Sequence, residues 1–177
     1  MDLVPSTSLP LLVIVDVQRG FLGPHTAHVP GDIDAFLRNM RDRYSKVIAT
    51  QFYNTDGSSF ETLIGWRRLK EQEEVALADE ISVWPSLVIP KTTYGAAEEI
   101  LEQAKIVGTR EIHFCGIDTD VCVLLNAAAA FDAGFQPKIL YFLCATGGGA
   151  EAHQSALPLL KRLIGAKQVV TDVNQIF

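Results

Sequence analysis

Three residues in this chain carry side chains suited to nucleophilic chemistry and stand at related places in the sequence. Asp16 closes the apolar run Leu11–Asp16, and Lys91 closes the run Leu87–Lys91. Cys122 follows the run Glu111–Gly116 by a short turn, Gly116-Ile117-Asp118-Thr119-Asp120. A cysteine in the first turn of a helix lies near the positive end of the helix dipole, which favours thiolate, the nucleophilic form. A carboxylate within reach can take the thiol proton, and a lysine can hold that carboxylate and offset its charge. Backbone N–H groups of the turn can hold an oxyanion. Each residue also has a plainer reading. Cys122 could be a small core residue of an Ala-rich helix, Asp16 a turn cap, and Lys91 a solvated strand end.

Convergence of three such distant residues depends on the elements between them. Leu11–Asp16 (LLVIVD) is continuous and β-branched, as in a strand buried on both faces. Further strands are read at Lys46–Gln51, Leu87–Lys91, Glu111–Gly116, Lys138–Leu143 and Lys167–Val170. Helical spacing is read over Gly31–Tyr44, Glu61–Glu74, Ala96–Val107, Thr119–Ala133 and Ala150–Ile164, the last with an internal Pro158 that should kink it. Gly108, Gly134 and Gly165 fit helix stops, while Phe52–Phe60 and Gly147–Gly149 read as loops. Such alternation gives an α/β fold with a parallel sheet and helices on both faces. In open sheets of this kind ligands bind beyond the carboxyl ends of the strands, where Asp16, Lys91 and Cys122 all fall.

A length of 177 residues suits one domain, 1–177, with a sizeable core. No linker, internal repeat or low-complexity tract divides it. The net charge of −6 and the lack of a Lys/Arg cluster argue against a nucleic-acid or anionic-membrane partner. No segment reaches the roughly 20 apolar residues of a membrane span. The N-terminal stretch has no basic flank and does not read as a signal peptide. The three cysteines, Cys115, Cys122 and Cys144, form neither C-x-x-C nor a disulfide framework, so reduced thiols in a cytoplasmic protein are expected.

With these residues in view, the sequence resembles the isochorismatase-like cysteine hydrolases, which include nicotinamidases, carbamoylsarcosine amidase and ureidoacrylate amidohydrolase. LLVIVDVQRGFL is similar to the family's first strand with its Asp-x-Gln. KTTYGAA resembles the segment of the catalytic lysine and a following aromatic. GIDTDVCVLLNAAAAFDAGF is the most specific match. The resemblance covers almost the whole chain. It implies a Rossmann-like three-layer sandwich with a six-stranded parallel sheet in order 3-2-1-4-5-6, and a triad of Asp16, Lys91 and Cys122. It also implies a non-proline cis peptide between Ile117 and Asp118, with the N–H groups of Asp118 and Cys122 forming an oxyanion hole. The reaction implied is acyl transfer through a thioester on a small carboxamide or ureido compound. Many relatives are oligomers, so a homo-oligomer is expected.

Some residues depart from the family pattern. Metal-dependent nicotinamidases carry an Asp-x-His and a later His near strand two, where this chain reads TQFYNTDGSSF with no histidine. Asp56 alone cannot make a nitrogen-rich site, so neither a metal nor another cofactor is expected, and nicotinamide becomes a weaker substrate candidate. The four histidines, His25, His28, His113 and His153, are scattered; His25 and His28 could line an entrance or be solvated. Asp118 stands where small apolar residues are common. It could repel an anionic substrate or bind a cationic one, but the N-cap of the following helix is the favoured role. Cys144 could sit near the pocket, but burial at a strand end is the favoured reading, and Cys115 reads as a strand residue of the core. Phe21, Phe52, Tyr53, Trp84 and Tyr94 lie near strand-end loops and are candidates for the pocket wall.

Three other functions compete. Isochorismatase-type vinyl-ether hydrolysis does not need the thiol. A non-catalytic relative could bind a ligand or a protein. A thiol-redox role would use Cys122 as a sulfenic acid. A dinucleotide-binding dehydrogenase would need G-x-G-x-x-G after the first strand, and DVQRGFLG does not supply it.

Overall fold

The structure, a computed structural model, describes residues 8–177. The signal-peptide reading falls in part on residues outside that range. In chain order the elements are β1 (Leu11–Val15), α1 (Val29–Met40), β2 (Lys46–Phe52), α2 (Ser59–Thr62), α3 (Gln72–Val75), α4 (Asp79–Ser82), β3 (Leu87–Lys91), α5 (Ala97–Ile106), β4 (Glu111–Ile117), α6 (Leu124–Asp132), β5 (Gln136–Ala145), α7 (Gly149–Ile164) and β6 (Val169–Val170). A π-helical turn, Thr119–Val123, leads into α6.

All strand pairs are parallel, and the sheet order is β3-β2-β1-β4-β5-β6. Every residue of β1 is buried, because helices cover both faces of the sheet. α1 packs with α4, while α5, α6 and α7 lie side by side. Right-handed crossovers put these two groups on opposite faces. The chain leaves β1 in one direction for β2 and β3, then returns to β4 on the other side of β1. This reversal opens a crevice beyond the ends of β1 and β4.

One close approach fixes that crevice. Gly116, in β4, has φ of +120°, and a Cβ there would come within 2.3 Å of the Val15 carbonyl oxygen. Only glycine lets β4 run this near β1. The register between β4 and β5 shifts between Phe114 and Gly116, so the end of β4 is re-aimed just before Ile117 and Asp118.

The segment 61–74 differs from the sequence expectation of one surface helix. It breaks after α2, because Gly65 and Leu69 both adopt left-handed φ values, +69° and +62°. The Trp66 N–H then bonds the Phe60 carbonyl at 2.8 Å, and both aromatic side chains turn inward. α7 runs through Pro158 without ending. The sixth strand is shorter than expected, with a 3-10 turn over Ala166–Gln168. Among the described residues no helix is long and apolar enough to cross a membrane.

Candidate active site

The end of β1 sets the first side chain. Asp16 has φ of +51°, a left-handed conformation that Asp tolerates better than most residues. This turns its carboxylate under the sheet edge, where it is fully buried. The Thr50 hydroxyl of β2 donates to Asp16 Oδ1 at 2.7 Å. Lys91 Nζ, from the end of β3, lies 2.7 Å from Asp16 Oδ2, with side-chain exposures of 3% and 0% for the pair. A solvated strand-end role for Lys91 is thereby ruled out. Its ammonium donates to the carbonyls of Thr93 and Tyr94, each at 2.9 Å, so the loop after β3 holds it against Asp16.

Cys122 sits above this pair. Its Sγ is 3.9 Å from Lys91 Nζ, and it lies near enough to Asp16 for the carboxylate's charge to act on the thiol. The π turn gives it this position: the Asp118 carbonyl accepts from the N–H groups of Val121 (3.2 Å) and Val123 (3.0 Å). Buried Asn126 then locks the turn. Its Nδ2 donates to the Cys122 carbonyl at 2.8 Å, and its Oδ1 accepts from the Ala96 N–H at 2.8 Å. One side chain thus ties the cysteine to the segment that follows Lys91. The Ile117–Asp118 peptide is cis.

Two electrostatic facts differ from the sequence expectation. The first-turn position suggests a standing thiolate. Burial and the nearby Asp16 charge instead push the Cys122 thiol well above its ordinary range, against the pull of Lys91. Burial likewise raises the Asp16 carboxyl, opposed by Lys91, Thr50 and the thiol itself. The cysteine therefore rests as a thiol, beside a carboxyl group of enhanced basicity. The other difference is Asp118, which does not cap the helix. Its Oδ1 accepts from the Gly147 N–H at 2.7 Å, tying the end of β4 to the loop after β5.

Above Cys122 opens a pocket of about 580 Å³. Phe21, Phe52, Phe60, Trp66 and Tyr94 form its walls, and Asp118 and Cys122 lie on its floor side. Phe21 and Trp66 stack with centroids 5.7 Å apart and planes 9° from parallel. Phe60 meets Tyr94 edge to face at 4.9 Å. Gln18 holds this wall in place: its side chain accepts from the Phe52 N–H at 2.7 Å and donates to the carbonyls of Phe52 (2.9 Å) and Val75 (2.8 Å). His25 is exposed at the pocket's edge.

Two expected wall residues lie elsewhere. Strand alternation at the end of β2 sends Phe52 into the pocket and Tyr53 to the other side, where Tyr53 donates to Gln51 Oε1 at 2.8 Å. Trp84 faces α1, and its indole N–H donates to Asp34 Oδ1 at 3.0 Å. Phe60 and Trp66 escaped the sequence reading because Phe60 closed a loop read as polar and Trp66 fell in a helix read as lying on the surface; Gly65 was the available sign of a break. Cys144 is a core residue whose thiol donates to the Leu140 carbonyl at 3.3 Å, and Cys115 is fully buried.

Solved structures share this architecture. An isochorismatase-like hydrolase from Alkaliphilus metalliredigens matches with a TM-score of 0.80 at 16% identity, covering 93% of this chain and 95% of that one. PnC1 from L. infantum, in complex with nicotinate, matches at 0.80 with 20% identity, covering 99% and 98%. A pyrazinamidase of Pyrococcus horikoshii, in complex with zinc, matches at 0.75 with 18% identity, covering 91% and 97%.

The residues of this chain do not fit such an ion in the loop after β2. Among the described residues no three His, Cys, Asp or Glu side chains gather closely enough to hold a metal. The carboxylates that do approach one another there, Asp56 and Glu61, have the ammonium of Lys70 between them, paired with both. Oxygen donors already neutralised by a lysine make a poor site for zinc.

No curated protein sequence matches this chain as a relative. The isochorismatase domain model, by contrast, matches residues 10–175, almost its full length. On that match the chain belongs to the isochorismatase family and is a hydrolase with that family's fold.

Proposed function

We propose that this protein is a metal-independent cysteine amidohydrolase that cleaves the C–N bond of a small carboxamide or ureido compound through a thioester. The observation that carries the reading is the thiol of Cys122 at the floor of an aromatic pocket, with the buried Asp16–Lys91 pair directly behind it.

Asp16 takes the proton from the Cys122 thiol as the sulfur attacks the substrate carbonyl carbon. A thiol held above its ordinary pKa does not ionise unaided, so a carboxylate base at this place is needed, and burial makes Asp16 a stronger one. The N–H groups of Asp118 and Cys122 hold the oxyanion of the tetrahedral intermediate. When the C–N bond breaks, the proton on Asp16 passes to the leaving nitrogen, and an acyl thioester stays on the sulfur. Water then attacks the thioester and gives a proton to Asp16. As the C–S bond breaks, that proton returns to the sulfur and the carboxylic acid product departs. Lys91 touches Asp16, and its fixed charge keeps the carboxylate oriented and ionised between cycles.

Lys70 supports the metal-independent part, since it supplies a fixed cation to the carboxylates after β2. A homo-oligomer in the cytoplasm acting on a small molecule completes the proposal. The test is ammonia release from a panel of small carboxamides and ureido acids by the native protein and Cys122→Ala. Turnover that disappears in the variant supports the reading. Turnover that persists in it overturns the reading.

A further inference from the structure

The walls of the pocket over Cys122 are chemically uneven. Five aromatic side chains, Phe21, Phe52, Phe60, Trp66 and Tyr94, surround it, and one acidic residue, Asp118, lines it near the nucleophile. Among the described residues no lysine, arginine or histidine forms an ion pair with Asp118. Its hydrogen-bond partner is the Gly147 N–H of the loop after β5, at 2.7 Å.

The positive groups nearby are already matched. Arg68 reaches the rim, where its guanidinium pairs with Glu74 at 3.1 Å. Lys91, beneath the floor, is matched by Asp16. Asp118 is thus the one acidic residue of the wall without an ionic partner; burial and the nearby Asp120 and Asp16 raise its carboxyl above the ordinary range, and a bound cation would oppose that rise.

Aromatic faces act in the same direction as that charge. A ring presents a negative face to a cation, and several rings around one space form a cage for an ammonium group. This wall already shows the effect from below, where Lys91 Nζ lies 5.3 Å from the centre of the Phe52 ring. An anionic substrate would meet both the ring faces and Asp118 unfavourably. A neutral one would leave Asp118 without a counter-charge in a partly buried setting, where an unpaired carboxylate is costly.

We infer that the pocket selects amides that carry a positively charged group, an ammonium or a substituted ammonium, and that Asp118 is the residue that reads this charge. The inference rests on the amidohydrolase reading, because it names the substrate class of the same site. Asp118 therefore has two separable parts: its backbone N–H serves the oxyanion, and its side chain sets the charge preference.

The test measures binding rather than turnover, so its failure is distinct from a failure of the chemistry. Cys122→Ala protein is titrated by calorimetry with benzamide, meta- and para-aminomethylbenzamide, and the corresponding carboxybenzamides. At least one aminomethyl compound should bind about tenfold or more tighter than benzamide, and the carboxy compounds more weakly than benzamide. Adding Asp118→Asn to this protein keeps an oxygen for the Gly147 N–H and removes the charge. The ratio of cation to neutral affinity should then fall to within about twofold of unity. Equal affinities across the series, or tighter binding of a carboxy compound, would overturn the inference. So would a cation preference that Asp118→Asn leaves unchanged. If Asp118→Asn fails to fold, the salt dependence of aminomethylbenzamide binding to Cys122→Ala decides: binding weakened by salt supports the inference, and salt-independent binding overturns it.

Discussion

The Lys91 ammonium lies 2.7 Å from the Asp16 carboxylate in a setting where both side chains are almost wholly removed from water. Removing one partner would leave the other charge buried and alone. Lys91→Met is therefore expected to cost about 3–5 kcal/mol of stability, and Lys91→Met with Asp16→Asn to recover much of it. Urea unfolding of the native protein and these two variants measures this. Both variants should be inactive, since one loses the ionised base and the other the base itself. Equal stability of the Lys91→Met variant and the native protein would show that the ion pair carries little energy.

The acid limb of activity follows from the same burial. Asp16 works as a base only when unprotonated, and its carboxyl is raised above the ordinary 3.8. Activity should therefore fall as pH drops through a value above that figure. A profile of kcat/KM against pH checks this, because it reports the free enzyme's groups. An acid limb at or below the ordinary value would contradict the role given to burial.

Gly116 should tolerate no side chain. Its φ of +120° and the 2.3 Å approach of a Cβ to the Val15 carbonyl leave a methyl group no room. Gly116→Ala is expected to destabilise by more than about 3 kcal/mol, measured by the urea midpoint, because backbone rather than a flexible side chain must move. A loss below about 1 kcal/mol would mean that β1 and β4 can separate at low cost.

Chelation should leave the reaction intact. Lys70 stands between Asp56 and Glu61, so removal of divalent ions by EDTA is expected to change turnover by less than about twofold. Added zinc should not raise it. Loss of turnover on chelation with recovery on zinc would contradict metal independence.

The strands were legible because each is a short apolar run with its own boundary signals, and strands buried on both faces leave little ambiguity. Asp16, Lys91 and Cys122 were legible because each ends or follows such a run. The pocket wall was not. Tyr53 and Trp84 are aromatic and near strand ends, yet one residue of strand alternation turns Tyr53 away and an indole hydrogen bond to Asp34 takes Trp84 to α1. Phe60 and Trp66 reach the pocket only because the chain breaks at Gly65 and Leu69, and Leu69 gives no local sign of a left-handed φ. The state of Cys122 was also out of reach, since it depends on burial and on Asp16, which lies over a hundred residues earlier in the sequence.

The central claim is covalent catalysis by Cys122, and acid-quench mass spectrometry tests it most directly. The protein is mixed with a carboxamide that it hydrolyses, stopped within one turnover, digested and mapped. An added acyl mass should appear on the peptide containing Cys122, removable by hydroxylamine and absent from Cys122→Ala. Turnover with no adduct on that peptide, together with a Cys122→Ala variant that still releases ammonia, would contradict it.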